Sequence, residues 1–168
     1  MDGLDAIKYI LKNNIEGCII ECGVASGDFE YIWIQELMKN NTTRDIYLYD
    51  TFGGLVKPTE YDYTCDNAVI YQMNRYDVYD TWARQIITDD INGWCYVPLH
   101  IVKDRLNATG YPENKLHYIV GDVLETLQIK ENIPDKIAIL RLDTDWYESS
   151  KFELEKLYHN VVSGGVFI

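Results

Sequence analysis

The sequence predicts an α/β protein with a Rossmann-like, mostly parallel sheet and helices on both faces. Three observations support this fold class: short apolar segments of strand type recur along the chain, helical patterns follow them, and four of them end in Gly or Asp. Strands that alternate with helices form parallel sheets with right-handed connections. Ligands of such sheets bind beyond the carboxyl ends of the strands. The 168 residues are expected to form a single domain.

The first strand is predicted over residues 17–23, after a short helix at about 5–12. It leads into the glycine-bearing turn Glu21-Cys22-Gly23-Val24-Ala25-Ser26-Gly27, and apolar residues at helical spacing predict a helix over 29–38. Strand, glycine turn and helix together can cradle a nucleotide-like ligand. The spacing differs from the Gly-x-Gly-x-x-Gly of dinucleotide enzymes, and a plain structural turn explains this motif equally well when it is taken alone.

The second and third strands, predicted over 44–50 and 116–121, also end in acids. Asp50 follows the glycine turn by about twenty residues, the position from which an acid can accept hydrogen bonds from ribose hydroxyls. Asp122 comes directly after the third strand and precedes a helix over 123–127. An adenosine-type ligand explains this repeated pattern better than a series of separate helix caps.

The fourth strand, predicted over 137–143, ends in Asp143 and is followed closely by Asp145. Two carboxylates one residue apart can bind a divalent metal through their oxygens. Asp is also a preferred N-cap residue, so capping of the next helix is the alternative. A fifth strand is predicted over 165–168.

Composition excludes several classes of partner. The net charge of −12 lacks the basic footprint that nucleic acids require, and it also disfavours anionic membrane surfaces. No apolar run approaches the roughly 20 residues of a membrane span. Four cysteines without metal-site spacing indicate a reduced, cytoplasmic protein, and the three histidines form no cluster.

The connection between the second and third strands is much longer than a helical crossover requires. A crossover helix is predicted over 98–107, and residues 57–95 are interpreted as an inserted substrate lid with a helix within 71–88. Aromatic rings with polar tips suit sugar recognition. Packing of the insertion onto the core, or a homo-oligomer interface, is the alternative. The aromatic residues concerned are Tyr61, Tyr63, Tyr71, Tyr76, Tyr79, Trp82, Trp94 and Tyr96.

Several motifs taken together resemble those of the macrocin O-methyltransferase family, whose members methylate sugar hydroxyls in macrolide and aminocoumarin antibiotics. They are the glycine turn at 21–27, Tyr49-Asp50-Thr51-Phe52-Gly53-Gly54-Leu55, Asn92-Gly93-Trp94-Cys95-Tyr96-Val97, Thr109-Gly110-Tyr111-Pro112, Leu140-Arg141-Leu142-Asp143-Thr144-Asp145-Trp146-Tyr147-Glu148-Ser149-Ser150, and Leu157-Tyr158 with Ser163-Gly164-Gly165-Val166. The resemblance extends from about residue 16 to the end of the chain.

The resemblance implies S-adenosylmethionine (SAM) as methyl donor, a magnesium ion at the acceptor site and a sugar-bearing small molecule as acceptor. Asp143 is the implied metal ligand and base, with Asp145 as a second metal contact. The glycine turn is expected under the methionine part of SAM, Asp50 at the ribose and Asp122 near the adenine. The full set expected at the cofactor is Glu21, Gly23, Ser26, Gly27, Asp50, Thr51, Phe52, Asp122 and Val123.

In the family, the fifth strand continues into two adjacent aspartates that complete the magnesium site. The chain ends at Ile168, so we expect a C-terminally truncated member. Two alternatives follow: a catalytically inactive SAM-binding remnant that serves as an interaction module, and an NAD-dependent oxidoreductase on a similar sheet. The absence of Gly-x-Gly-x-x-Gly counts against the oxidoreductase.

Overall fold

The computed structural model describes residues 2–62 and 75–168. A five-stranded sheet forms the centre of the fold, in the order β5-β2-β1-β6-β7 with β1 in the middle. Every neighbouring pair in it is parallel, which confirms the predicted α/β class. The strands are β1 (Cys18–Cys22), β2 (Ile46–Asp50), β5 (Leu116–Val120), β6 (Ile137–Leu142) and β7 (Val161–Phe167), while β3 (Ile86–Thr88) and β4 (Ile91–Asn92) form a separate antiparallel pair.

The helices agree with the sequence pattern to within a few residues. They are α1 (Gly3–Lys12), α2 (Asp28–Lys39), α3 (Arg75–Arg84), α4 (Leu99–Asn107), α5 (Val123–Thr126) and α6 (Tyr147–Leu157). Among the described helices, none is long and apolar enough to cross a membrane.

Two features of the fold differ from the prediction. The fifth strand begins at Val161 rather than at residue 165, because Gly164, with φ of 81°, lies inside an irregular strand rather than in a preceding turn. The pairing of β7 with β6 shifts register between Ile137 and Ile139. The β3–β4 hairpin within the insertion was not predicted, since each of its strands has three residues or fewer.

The two faces of the sheet bury separate apolar cores. One face of the sheet packs against α1, α2 and α4 and is called the α2 face; its core includes Ile19, Trp33, Leu48 and Leu106. The opposite face packs against α5 and α6 and is called the α6 face; its buried residues include Ile20, Cys22, Leu140 and Leu157. Side chains alternate between faces along a strand, so β1 contributes to both cores and its end lies between them.

Candidate functional site

A cavity of about 250 Å³ opens at the carboxyl edge of the sheet. It lies beside the central strand, where the strand order changes direction between β1 and β6. This is the position at which open α/β sheets bind their ligands. Its walls include Gly23, Ala25, Asp50, Thr51, Leu55, Val56, Cys95, Gly121, Asp122, Val123, Asp143, Thr144, Asp145 and Ser149.

Gly23 allows the ends of β1 and β6 to approach closely. Its φ is 84°, and a Cβ at this position would lie 2.2 Å from the carbonyl oxygen of Asp143. The amide of Asp143 donates to the carbonyl of Cys22 at 2.8 Å, so the two strands remain paired up to the cavity. Any side chain at residue 23 would therefore displace the segment that carries Asp143.

The carboxylate of Asp50 connects the two loops on either side of the cavity. Its Oδ2 accepts hydrogen bonds from the amides of Val24 at 2.7 Å and Ala25 at 3.1 Å, and its Oδ1 accepts from the amide of Phe52 at 2.7 Å. A carboxylate has about four acceptor positions. One position on Oδ1 is thus left for a further donor.

Unusual backbone conformations are concentrated around this cavity. Among the residues that the structure describes, six other than glycine have positive φ. Three of them, Ala25 (46°), Cys95 (57°) and Asp145 (68°), line the cavity. Strained conformations of this kind are typical of binding and catalytic sites.

Asp143 and Asp145 lie together at the end of β6. The Asp143 side chain is 56% exposed and its Oδ2 accepts a hydrogen bond from Arg141 Nη2 at 2.7 Å. Burial raises the pKa of Asp145 above its ordinary value, and the charge of Asp143 raises it further. Within 2–62 and 75–168, no three His, Cys, Asp or Glu residues are grouped as potential ligands of one metal ion.

Glu21 lies behind the glycine turn, on the α2 face, and does not line the cavity. It is 1% exposed and accepts a hydrogen bond from Arg141 Nη1. Glu30, in the first turn of α2, is fully buried beside it. Burial raises the pKa of both carboxyls, that of Glu30 to about 7, and the charge of Arg141 partly opposes the increase in each.

A second buried carboxyl, Glu153 of α6, lies behind the cavity on the α6 face. It is fully buried, and neither of its oxygens has an aligned hydrogen-bond partner among the described residues. Burial raises its pKa to about 7, and the nearby hydroxyl of Thr144 lowers that value in part. Thr144 itself lines the cavity, so it connects Glu153 to the site.

The structure brings most of the expected site residues to one cavity. Gly23, Asp50, Thr51, Asp122, Val123, Asp143 and Asp145 line it. Glu21, Ser26, Gly27 and Phe52 do not: Ser26 bonds to Asp28, Gly27 is the N-cap of α2, and Phe52 is buried against Tyr118. Asp122 also caps α5, since its Oδ1 accepts from the amide of Leu124 at 2.9 Å.

The sequence interpretation missed Thr144 and Ser149 as cavity residues. Thr144 lies between two acids that were identified, and Ser149 lies in the first turn of α6. Proximity to the acid pair is the signal that could have indicated both.

The sheet order, with a cavity at its switch point, defines a Rossmann-like α/β fold, in which ligands bind beyond the carboxyl ends of the strands. The family model described as Macrocin-O-methyltransferase (TylF) matches residues 1–168. The chain belongs to this family, which confirms the resemblance seen in its motifs.

Individual relatives agree with this assignment. The chain is 24% identical over 171 residues to 8-demethyl-8-(2,3-dimethoxy-alpha-L-rhamnosyl)-tetracenomycin-C 4'-O-methyltransferase from Streptomyces olivaceus, a match that covers 98% of the chain and 58% of the relative. Among solved structures, the O-methyltransferase NovP superposes with a TM-score of 0.75 at 22% identity. The calicheamicin methyltransferase CalS11 superposes with a TM-score of 0.66 at 23% identity.

The chain corresponds to part of each of these proteins. Each structural match covers 98% of the chain but only 61% of the other protein. At these identities the structural likeness shows the fold alone, and the predicted Rossmann-like α/β fold is confirmed.

Proposed function

We propose that the chain forms the cofactor-binding part of a SAM-dependent O-methyltransferase that acts on a hydroxyl of a sugar or glycosylated small molecule. The observation that carries this proposal is the acid-lined cavity at the switch point of the sheet, in a chain that belongs to the macrocin O-methyltransferase family. The name of the Streptomyces olivaceus relative describes 4'-O-methyl transfer on a rhamnosyl tetracenomycin, which supports a sugar acceptor.

The residues around the cavity fit SAM chemically. The free acceptor position on Asp50 Oδ1 suits a ribose hydroxyl, while Gly121, Asp122 and Val123 offer a small, partly apolar surface for the adenine. Gly23 and Ala25 lie nearest the methionine part in this arrangement. SAM, when bound, supplies a methyl group on a positively charged sulfur. Glu21, Ser26, Gly27 and Phe52 then support the loops without touching the cofactor.

The chain's own catalytic contribution is orientation and proton removal. Holding donor and acceptor in line accounts for much of the acceleration in such transfers, and a carboxylate beside the acceptor hydroxyl can accept its proton. We assign the base to Asp143, and Asp145 is the alternative because its raised pKa favours proton uptake.

The proposal includes a magnesium ion, which Asp143 and Asp145 would hold. The described residues bring two carboxylates, Asp143 and Asp145, to the cavity. Magnesium keeps several waters and uses few protein carboxylates, so we expect this chain to bind it in the millimolar range or more weakly.

The insertion is proposed to cover the acceptor. A second cavity, of about 430 Å³, adjoins the first through shared residues such as Thr51 and Leu55, and it is bounded by Trp82, Lys57 and the β3–β4 hairpin. An indole ring and polar groups suit a sugar. Tyr63, Tyr71 and the side chain of Tyr76, which were predicted to contribute, lie outside the described residues.

A reducing, cytoplasmic location completes the proposal. Cys18 and Cys22 are buried free thiols, and burial raises the pKa of Cys18 to about 12. Thiols in this state are unreactive and require no oxidising compartment.

Cofactor binding tests the proposal directly. We expect SAM to raise the melting temperature of the chain and NAD to leave it unchanged, because a ligand stabilises the folded state that binds it. A shift with NAD alone would favour an oxidoreductase, and a shift with neither would reject the cofactor assignment.

The role of Asp50 is tested by calorimetric titration. Asp50→Ala should weaken SAM binding by roughly 1.5–3 kcal/mol for each charge-assisted hydrogen bond lost. Asp104→Ala, an exposed acid on α4, is the matched control. Unchanged SAM affinity in Asp50→Ala would contradict the ribose assignment.

A further inference from the structure

The guanidinium of Arg141, near the end of β6, donates hydrogen bonds to two carboxylates. Arg141 lies beside Glu21 in the register of β6 and β1. Its Nη1 donates to Glu21, and its Nη2 donates to Asp143 Oδ2 at 2.7 Å. The Glu21 side chain is 2% exposed and that of Asp143 is 56% exposed, so Arg141 connects a buried acid to the acid at the mouth of the cavity.

The position of Arg141 is fixed from several sides. Its side chain is only 14% exposed, and its Cζ lies 3.8 Å from the centre of the Phe29 ring. The planar guanidinium makes paired hydrogen bonds that an ammonium group cannot reproduce. If Arg141 moved away, Glu21 would be left as a buried carboxylate without a cation, which is costly.

We propose that Arg141 is the internal counter-ion of Asp143, and that it lowers the affinity of this carboxylate for a divalent cation. Asp143 Oδ2 is occupied by the guanidinium, so Oδ1 is the oxygen left for another cation. A metal ion at Oδ1 would meet the positive charge of Arg141 across the same carboxylate, and like charges at this range repel.

This inference concerns the charge of the acid pair and goes beyond methyl transfer. Asp143 is one of the two residues that family resemblance implies as magnesium ligands. It is already paired with a cation of the protein itself, the guanidinium of Arg141. Glu21 gains a function as well: it holds Arg141 beside Asp143, although it does not itself line the cavity.

The test measures Mn²⁺ binding to the purified chain by electron paramagnetic resonance. We expect Arg141→Gln to bind Mn²⁺ at least about tenfold more tightly than the parent chain, which is equivalent to about 1.4 kcal/mol. The gain should disappear when Asp143→Asn is added, because that carboxylate is the group released. Since binding and not catalysis is measured, the outcome is independent of the proposed activity.

A second variant, which removes one positive and one negative charge together, tests the proposal in a protein that is expected to fold. Replacing a buried ion pair by apolar residues of similar volume is often neutral or stabilising, so Glu21→Met with Arg141→Met should fold and should show the same tighter Mn²⁺ binding. The matched control is Glu16→Gln with Lys136→Gln, which removes the exposed Lys136–Glu16 pair just before β1 and β6.

The control pair should leave Mn²⁺ affinity unchanged. The proposal is overturned if the Glu21/Arg141 double variant binds Mn²⁺ no more tightly than the parent chain. It is also overturned if the gain persists with Asp143→Asn, because the cation would then bind elsewhere.

Discussion

The two faces of the sheet each bury carboxyl groups behind the same cavity, but they treat them differently. On the α2 face, Glu21 and Glu30 have the guanidinium of Arg141 close by. On the α6 face, burial raises the pKa of Glu153, the charge of Asp122 raises it further, and the Thr144 hydroxyl lowers it in part. The comparison teaches that burial alone does not determine what a buried acid does. Burial raises the pKa of Glu30 and of Glu153 to about 7, so the two faces differ in Glu21, which holds the guanidinium of Arg141 beside Asp143.

The largest effect on stability is expected from removing the guanidinium of Arg141, on the α2 face. Arg141→Met should lower the free energy of unfolding by about 3–5 kcal/mol, because Glu21 would remain buried without its partner. Urea denaturation at neutral pH measures this change. Lys136→Met, at the exposed start of the same strand, should change stability by less than about 1 kcal/mol. An equally small loss for Arg141→Met would mean that Glu21 is protonated and does not depend on the ion pair.

A smaller effect of opposite sign is expected on the α6 face. Burial raises the pKa of Glu153 from 4.5 to about 7, so the folded state retains a proton that the unfolded state releases. The stability from this proton is fully present below about pH 4.5 and is lost as the pH rises through about 7. At pH 8, Glu153→Gln should therefore be more stable than the parent chain by roughly 2–3 kcal/mol.

Denaturation of both proteins between pH 4 and pH 8 provides the measurement. Glu30 titrates in the same range in both proteins, so the difference between their curves isolates Glu153. Glu155→Gln, an exposed acid on the same helix, should give a curve parallel to that of the parent chain. Parallel curves for Glu153→Gln as well would show that Glu153 keeps an ordinary pKa.

The smallest effect should come from Thr144, the residue between Glu153 and the cavity. Thr144→Val removes the hydroxyl that lowers the pKa of Glu153, so the stability at pH 8 should fall by about 1 kcal/mol, with little change at pH 5. Thr144→Ser keeps the hydroxyl and should resemble the parent chain. A loss that is equal at both pH values would indicate altered packing rather than a lost interaction with the carboxylate.

The sequence was sufficient for four of the five main strands because each of these is an apolar run that ends at a Gly or Asp. It was less informative about β7, where a Gly-Gly pair resembles a turn but lies within the strand. The β3–β4 hairpin is too short for alternation to be recognised.

The residues placed at the cavity by the sequence lie at the strand ends or just beyond them, as Asp50, Asp143 and Asp145 do. The prediction that Glu21 binds the cofactor followed from its place in the glycine motif. In the structure Glu21 accepts a hydrogen bond from Arg141, which is 120 residues away in the chain, and no local pattern reveals such a partner. At Gly23, the group that demands a glycine is the backbone of Asp143, since a Cβ there would lie 2.2 Å from its carbonyl oxygen.

The central place of β1 has a consequence for the order in which the molecule assembles. Its pairing with β2 joins residues such as Ile19 and Ile46, which are near in sequence, whereas its pairing with β6 joins Ile19 to Ile139. Closing the longer loop costs more chain entropy. During translation, β6 is also synthesised well after β1 and β2. A nascent chain therefore contains Glu21 long before Arg141 exists. In that interval the carboxyl has to stay hydrated or take up a proton, so the pairing of β6 with β1 is the event that gives Glu21 its cation.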